Sequence, residues 1–430
     1  MKGTLRIIAV AVIALVVLVV VVLRVTAPGA EPAYNIGPAL NPGIVQPQLA
    51  LSYMDDAVML APDGSLWFWG GRQSLFHNAL LNGPVISTPA LLDGRHDWRK
   101  VALVSVRVAA IKADGTLWTW DGSGPVTPPL TPKQLGSDSD WVEVSGHTSH
   151  LMALKKDGTL WGWGQNESCQ VGGPATNMIK MPVQVGTDRD WKIISAGAFN
   201  SYAIKTDGTL WEWGYCLLPP GTNIQNPAQL DPGLNWVAVS AGDFHVLALK
   251  SDGTLWVAGQ ATLLGPASAQ MKQIGTDRDW VEIHSGQNCF FARKADGSWW
   301  GAGANWMGPT GMPGVNTSLP KRLPYAFESW AFAAGGETTV ELGKDGQLWS
   351  MGKRVGSAKP GTRWMQVKAF LGAVKDRIIA PKPATGPVAG TPGPEFFDFA
   401  PHLIWTVPSG MQREMVKEAA GTNVVGANGE

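Results

Sequence analysis

Short runs of alternating apolar and polar residues recur through the middle of the chain, each bounded by small or turn-forming residues. The segment DWKIISAGAFNSYAIKTDGTLWEWG, residues 190–214, contains three of them. Residues 191–195 are β-branched and apolar and read as a strand, Ala196-Gly197 as a corner, 201–205 as a second strand and 209–213 as a third. Asp207-Gly208 joins the last two. Glycine supplies positive φ without a Cβ penalty and Asp tolerates the left-handed region, so the pair predicts a hairpin turn. On the third strand Trp211 and Trp213 point to one face. A fourth short run follows in most repeats, at 132–135, 182–185, 227–230 and 272–274. Proline opens three of these runs, which suits an edge strand where a missing donor is harmless.

The unit recurs seven times. Asp-Gly pairs begin at Asp63, Asp114, Asp157, Asp207, Asp252, Asp296 and Asp345, and each is followed four residues on by a tryptophan, Trp67, Trp118, Trp161, Trp211, Trp256, Trp300 and Trp349. The spacing of 43 to 51 residues is that of propeller blades. Four strands per repeat predict an all-β chain, a seven-bladed β-propeller of four-stranded blades. The second aromatic position of the third strand decays from Trp69, Trp120, Trp163 and Trp213 to Ala258, Ala302 and Met351. These tryptophans are expected to pack between blades, since aromatic side chains bury large areas.

The pattern Trp-x-x-Val followed by Ala-Leu-Lys-x-Asp-Gly-Thr-Leu-Trp-x-Trp-Gly resembles the RCC1-like repeat of seven-bladed propellers, in its bacterial form. The third repeat comes nearest, and its stretch from Trp163 to Gly172 is similar to the family's Gly-x-Asn-x-x-Gly-Gln-Leu-Gly loop, with Cys169 where glycine is usual. The resemblance covers roughly residues 47–368. It implies a partner-binding platform: the family includes an exchange factor for a small GTPase and a secreted inhibitor of β-lactamases. Neither function transfers by any motif. The first repeat has 47–49 but no Trp-x-x-Val run, and the last has too few residues after Asp345 for a fourth strand before Trp364. Residues 363–368 are therefore expected to join the N-terminal blade and close the ring.

Four segments follow: 1–26 as a membrane anchor or signal segment, 27–46 as a linker, 47–375 as the propeller and 376–430 as a Pro/Gly-rich tail with an apolar segment. Residues 7–23 are an unbroken apolar run preceded by Lys2 and Arg6. They read as an uncleaved transmembrane signal-anchor helix with a cytoplasmic N-terminus and an exported propeller, and a cleaved signal peptide with Thr26-Ala27 near its end is the alternative. In the tail, 396–399 and 403–405 form an apolar cluster, expected either to fold onto the propeller flank or to dock a partner.

Composition narrows the function classes. With 34 basic and 34 acidic residues the formal net charge is zero, which offers no electrostatic footprint for nucleic acid. Cys169, Cys216 and Cys289 have no metal-ligand spacing. Cys169 and Cys216 follow the Trp-Gly of adjacent repeats, and a disulfide between them is reasonable in an exported domain if the loops approach closely enough. His150 and His245 share one repeat position and are expected to bond backbone within their blades. No nucleophile elbow, phosphate loop, zinc-protease helix or EF-hand loop is present, so neither an enzyme nor a cofactor or metal site is expected. The expected function is a membrane-anchored extracytoplasmic scaffold that binds a protein partner through variable loops, with carbohydrate or cell-wall glycan binding as the alternative. Candidate contacts are Phe76, His77, Asn166, Tyr215, Leu217, Trp306 and Met307, because aromatic and Met side chains are enriched at interfaces.

Overall fold

The computed structural model describes residues 45–52, 56–70, 86–105, 107–121, 131–216, 222–259, 268–303, 317–323, 329–335, 338–343, 347–352 and 398–406. All lie in one compact unit, residues 36–358 and 394–430. They form seven four-stranded antiparallel sheets, each taken from four consecutive strands. Blade four shows the plan: Trp191–Ala196, Asn200–Lys205, Leu210–Cys216 and Thr222–Asp231 pair in chain order. The first strands are innermost and lie against one another around the ring. The first strand of blade one, Gln48–Leu51, meets that of blade two, Trp98–Val104, and that of blade seven, Ser329–Ala334.

Ring closure differs from the sequence expectation. Blade one is complete with its own first strand, Gln48–Leu51. The fourth strand of blade seven is Asp398–Thr406, paired with Gln347–Gly352 and drawn from the segment read as a tail. The apolar cluster around 398–405 is thus a blade strand rather than a flank-packed or partner-docking element. Residues 363–368 lie outside the described residues.

Proline explains why that strand belongs there. In blades one, three, four, six and seven the register between third and fourth strands slips at the same place, leaving a few fourth-strand residues unpaired. The last of these is Pro89, Pro182, Pro227, Pro320 or Pro401. A residue with no N–H is tolerated where the ladder is already interrupted.

A second irregularity recurs on the first strands. In blades two to seven the residue after the strand's opening position is skipped by the ladder: Arg99, Val142, Lys192, Val237, Val281 and Trp330. The Trp-x-x-Val signature therefore encodes a β-bulge. Its bulged valines are about half exposed, and the Trp before each turns inward.

The Asp-Gly turns of blades one to six carry the same relay. In blade three Asp157 Oδ1 accepts the Thr159 N–H (3.1 Å) and hydroxyl (2.7 Å), and Thr159 Oγ1 accepts the Trp161 indole N–H (2.9 Å). The relay repeats in blades one, two, four, five and six, with Ser65, Thr116, Thr209, Thr254 and Ser298 in the middle. The indole then meets the first-strand tryptophan edge-on, as Trp161 meets Trp141 at 5.6 Å. Lys155 lies over both rings at 4.8 Å and pairs with Asp138 (2.6 Å) and Asp140 (3.1 Å). These tryptophans are packing residues, as expected, although only Trp67 is fully buried and the other six are half-buried.

Blades are joined by a serine ladder on their first strands. Ser145 Oγ accepts the Ala196 N–H (3.0 Å), Ser195 Oγ the Ala241 N–H (2.9 Å) and Ser240 Oγ the Ser285 N–H (2.8 Å).

Candidate functional site

Because the strands alternate in direction, each blade presents its Asp-Gly turn on one side of the ring. The first-to-second-strand corner and the third-to-fourth-strand loop open on the other. The turn side is nearly uniform. The corner side is where repeats differ, in corner sequence and in loop length from 71–85 to 353–397.

Of the predicted contacts only Asn166 and Tyr215 are among the described residues. Phe76, His77, Leu217, Trp306 and Met307 lie outside the described residues, as does the side chain of Cys216. Tyr215 is half-buried, and its N–H donates to the Phe199 carbonyl at 2.9 Å. Asn166 is 0% exposed. Its Nδ2 donates to the Pro174 carbonyl (3.0 Å), and its Oδ1 accepts the Val171 N–H (2.9 Å). It shapes its own loop and presents nothing to a partner.

That loop is a staple between blades. Cys169 adopts φ 62°, which accounts for glycine at this place in the resembled motif. Its thiol is buried and free, so it does not pair with Cys216. The Gly173 N–H donates to the Gln225 carbonyl of blade four at 2.6 Å. Ser201, also of blade four, donates to the Gln170 carbonyl at 2.8 Å. With that proton committed, the contact of His150 Nε2 with Ser201 Oγ (2.7 Å) has the imidazole as donor. His150 thus bonds a side chain of the next blade rather than backbone of its own. His245 stands at the same position, but blade six has Phe290 where Ser201 would be, and His245 Nε2 has no hydrogen-bond partner.

The corners themselves form a chain of contacts about the axis. Ser105 donates to the Thr148 carbonyl, Ser149 to the Ala198 carbonyl (3.1 Å), the Asp243 N–H to the Gln287 carbonyl (3.4 Å) and the Gln287 N–H to the Gly335 carbonyl (3.2 Å). Two features break the pattern of small corner residues. Phe199 and Phe244, from blades four and five, stack at 6.2 Å with planes 30° apart, and Phe199 is 39% exposed. Across the small Gly197-Ala198 corner of blade four, His147 Nδ1 of blade three lies 3.6 Å from Asp243 Oδ1 of blade five.

Burial governs the charges here. It pushes His147 down to about 4 and His245 to about 4, and it pushes His150 to about 3 with help from His147. It lifts Asp243 to about 6 against the opposing hydrogen bond from Gln287. Among the described residues no group of three His, Cys, Asp or Glu side chains is placed to hold a metal ion.

Sequence reading named residues of the segments that follow the third strands and passed over Phe199, Phe244, His147 and Asp243. The available signal was the comparison of corners: His147-Thr148-Ser149, Gly197-Ala198-Phe199 and Gly242-Asp243-Phe244 align, and each departs from small residues differently.

The described geometry agrees with known proteins at the level of repeat and fold. The profile of the regulator of chromosome condensation (RCC1) repeat matches residues 157–204, and a second profile of that repeat matches 236–262. Curated protein sequences contain no match. Among solved structures, human WBSCR16 superposes with a TM-score of 0.59 at 17% identity, covering 69% of this chain and 86% of that one. Prp20p from Saccharomyces cerevisiae, described with its binding to Gsp1p and histones, superposes with a TM-score of 0.58 at 19% identity, covering 68% and 81%. At such identities the likeness speaks to the fold alone. Residues 157–204 and 236–262 thus carry the RCC1 repeat within a ring of blades closed as a seven-bladed β-propeller.

Proposed function

We propose that this propeller is a non-enzymatic interaction module that binds a protein partner on its corner side and is held outside the cytoplasm by residues 7–23. The stack of exposed Phe199 on half-buried Phe244, on the side where the repeats diverge, carries the reading. Exposed aromatics with two rigid torsions are the commonest anchors of protein interfaces, and ring folds place function in the segments that vary. That Prp20p is described as binding Gsp1p and histones makes a protein partner the natural class. Anchoring rests on the apolar run and its flanking basic residues. Among the described residues no helix is long and apolar enough to cross a membrane, and 7–23 are not among them.

The test is site-specific photo-crosslinking in the native cell. A photoreactive residue at 199 is expected to give a discrete protein adduct that Phe244→Ala abolishes. The same residue at exposed Leu234, on the turn side, is expected to give none. No adduct from 199, or identical adducts from both, overturns the reading. Alkaline-washed membranes should retain the full chain and release one lacking residues 1–26.

A further inference from the structure

We propose that His147 and Asp243 form a proton-operated latch across blade four, closed when the pair shares one proton and loosened when it holds none. The contact is not a settled ion pair. His147 Nδ1 is already 2.7 Å from Thr148 Oγ1, and Asp243 Oδ1, buried and 3.6 Å away, has no hydrogen-bond partner. A buried carboxylate oxygen without a donor is costly, and one proton between Oδ1 and Nδ1 would draw the two atoms to hydrogen-bond distance. Whether the proton resides on oxygen or nitrogen does not matter, since the pair titrates as a unit.

The surroundings set the direction. From blade three comes His150 and from blade five His245, both buried and both influenced by His147. Blade four contributes only uncharged Ala198, Asn200 and Ser201. Blade six contributes the Gln287 amide and Cys289, whose thiol burial raises to about 12 and keeps neutral. Arg107, half-buried at the start of the second strand of blade two, is the charged residue on that side. Among the described residues no lysine or arginine of blades four to six pairs with Asp243, and burial raises its pKa to about 6. A group whose folded pKa is raised stabilises the fold at low pH and loses that contribution as pH rises through the folded value. The latch is therefore closed below about pH 6 and loosened above it. Since Asp243 precedes Phe244 and His147 spans the corner bearing Phe199, the latch holds the two rings in register.

The test uses hydrogen exchange by mass spectrometry on the full chain between pH 5 and pH 7.5, corrected for intrinsic exchange rates. Peptides over 145–152 and 240–247 are expected to be at least threefold more protected at pH 5, while peptides over the 155–160 turn are unchanged. Asp243→Asn, whose amide is a permanent donor, should abolish the pH response and stay protected at both values. His147→Gln should also abolish it, which provides a second variant if the first does not fold. Equal corner protection across the range in the parent chain, or an unaltered response in either folded variant, overturns the proposal.

Discussion

Ser65 shows how much one hydroxyl can organise. It donates to Asp63 Oδ1 at 2.6 Å and accepts the Trp67 indole N–H at 2.9 Å, all within the buried part of blade one. Ser65→Ala removes both hydroxyl bonds and leaves Asp63 Oδ1 with the residue-65 N–H alone, and taking the partner from a buried indole N–H costs about 1–3 kcal/mol. Denaturant titration should show a loss in that range, and Ser65→Thr, the residue used by four other blades, should restore most of it. The recurrence of Asp-Gly-Thr/Ser-x-Trp was legible from the letters. Its reason was not, because turn propensity alone accounts for Asp-Gly and leaves the hydroxyl and the indole unexplained. The relay becomes visible only once residues two and four positions after the aspartate converge on it.

At the level of the strand, Asp398–Thr406 is the element whose role changed. Pro401-His402-Leu403-Ile404 shares with Pro182-Val183-Gln184-Val185 only the opening proline and the β-branched fourth residue, so the signal in the chain was weak. It was obscured because 45 residues separate this strand from its partner Gln347–Gly352, where other blades use far fewer. Local pattern carries no information about how long a loop is permitted, and long loops cost little extra closure entropy. A chain ending at residue 397 leaves only the outer edge of the third strand of blade seven unpaired. At about 1 kcal/mol per lost ladder bond, its thermal midpoint should fall by on the order of 5 °C or more relative to a chain ending at 406. Equal midpoints would remove this strand from the blade.

For the whole molecule, the buried titrating groups oppose one another. His147, His150 and His245 have folded pKa values lowered to about 4, 3 and 4, so each favours folding above its ordinary value and loses that contribution as pH falls below 6.5. Asp243 and Glu212, raised by burial to about 6 and about 7, act in the reverse sense. Between pH 6 and 4.5 unfolding takes up protons on three histidines and releases them from two acids, a net uptake near one. Stability is thus expected to fall with acidification by about 1.4 kcal/mol per pH unit and to level off near neutrality. Denaturation at pH 4.5, 5.2, 6 and 7 measures the slope, which His150→Asn should flatten; an unchanged slope would mean that His150 is not buried in its neutral form.

The seven repeats, their four strands, the turn residues and the inward tryptophans were determined by sequence alone. Alternation, Asp-Gly and aromatic spacing act over a few residues, where local sterics and burial suffice. Closure, the partner of the last strand, the His150–Ser201 bridge and the meeting of His147 with Asp243 were decided by tertiary structure. The last-strand pairing and the two corner contacts join residues about 45 to 100 positions apart, closure brings Gln48–Leu51 to Ser329–Ala334, and none of these contacts exists until the chain closes into blades about a common axis. The candidate surface is legible to the same extent: the side of the ring follows from the strand pattern, and the residues that fill it follow from the way the blades meet.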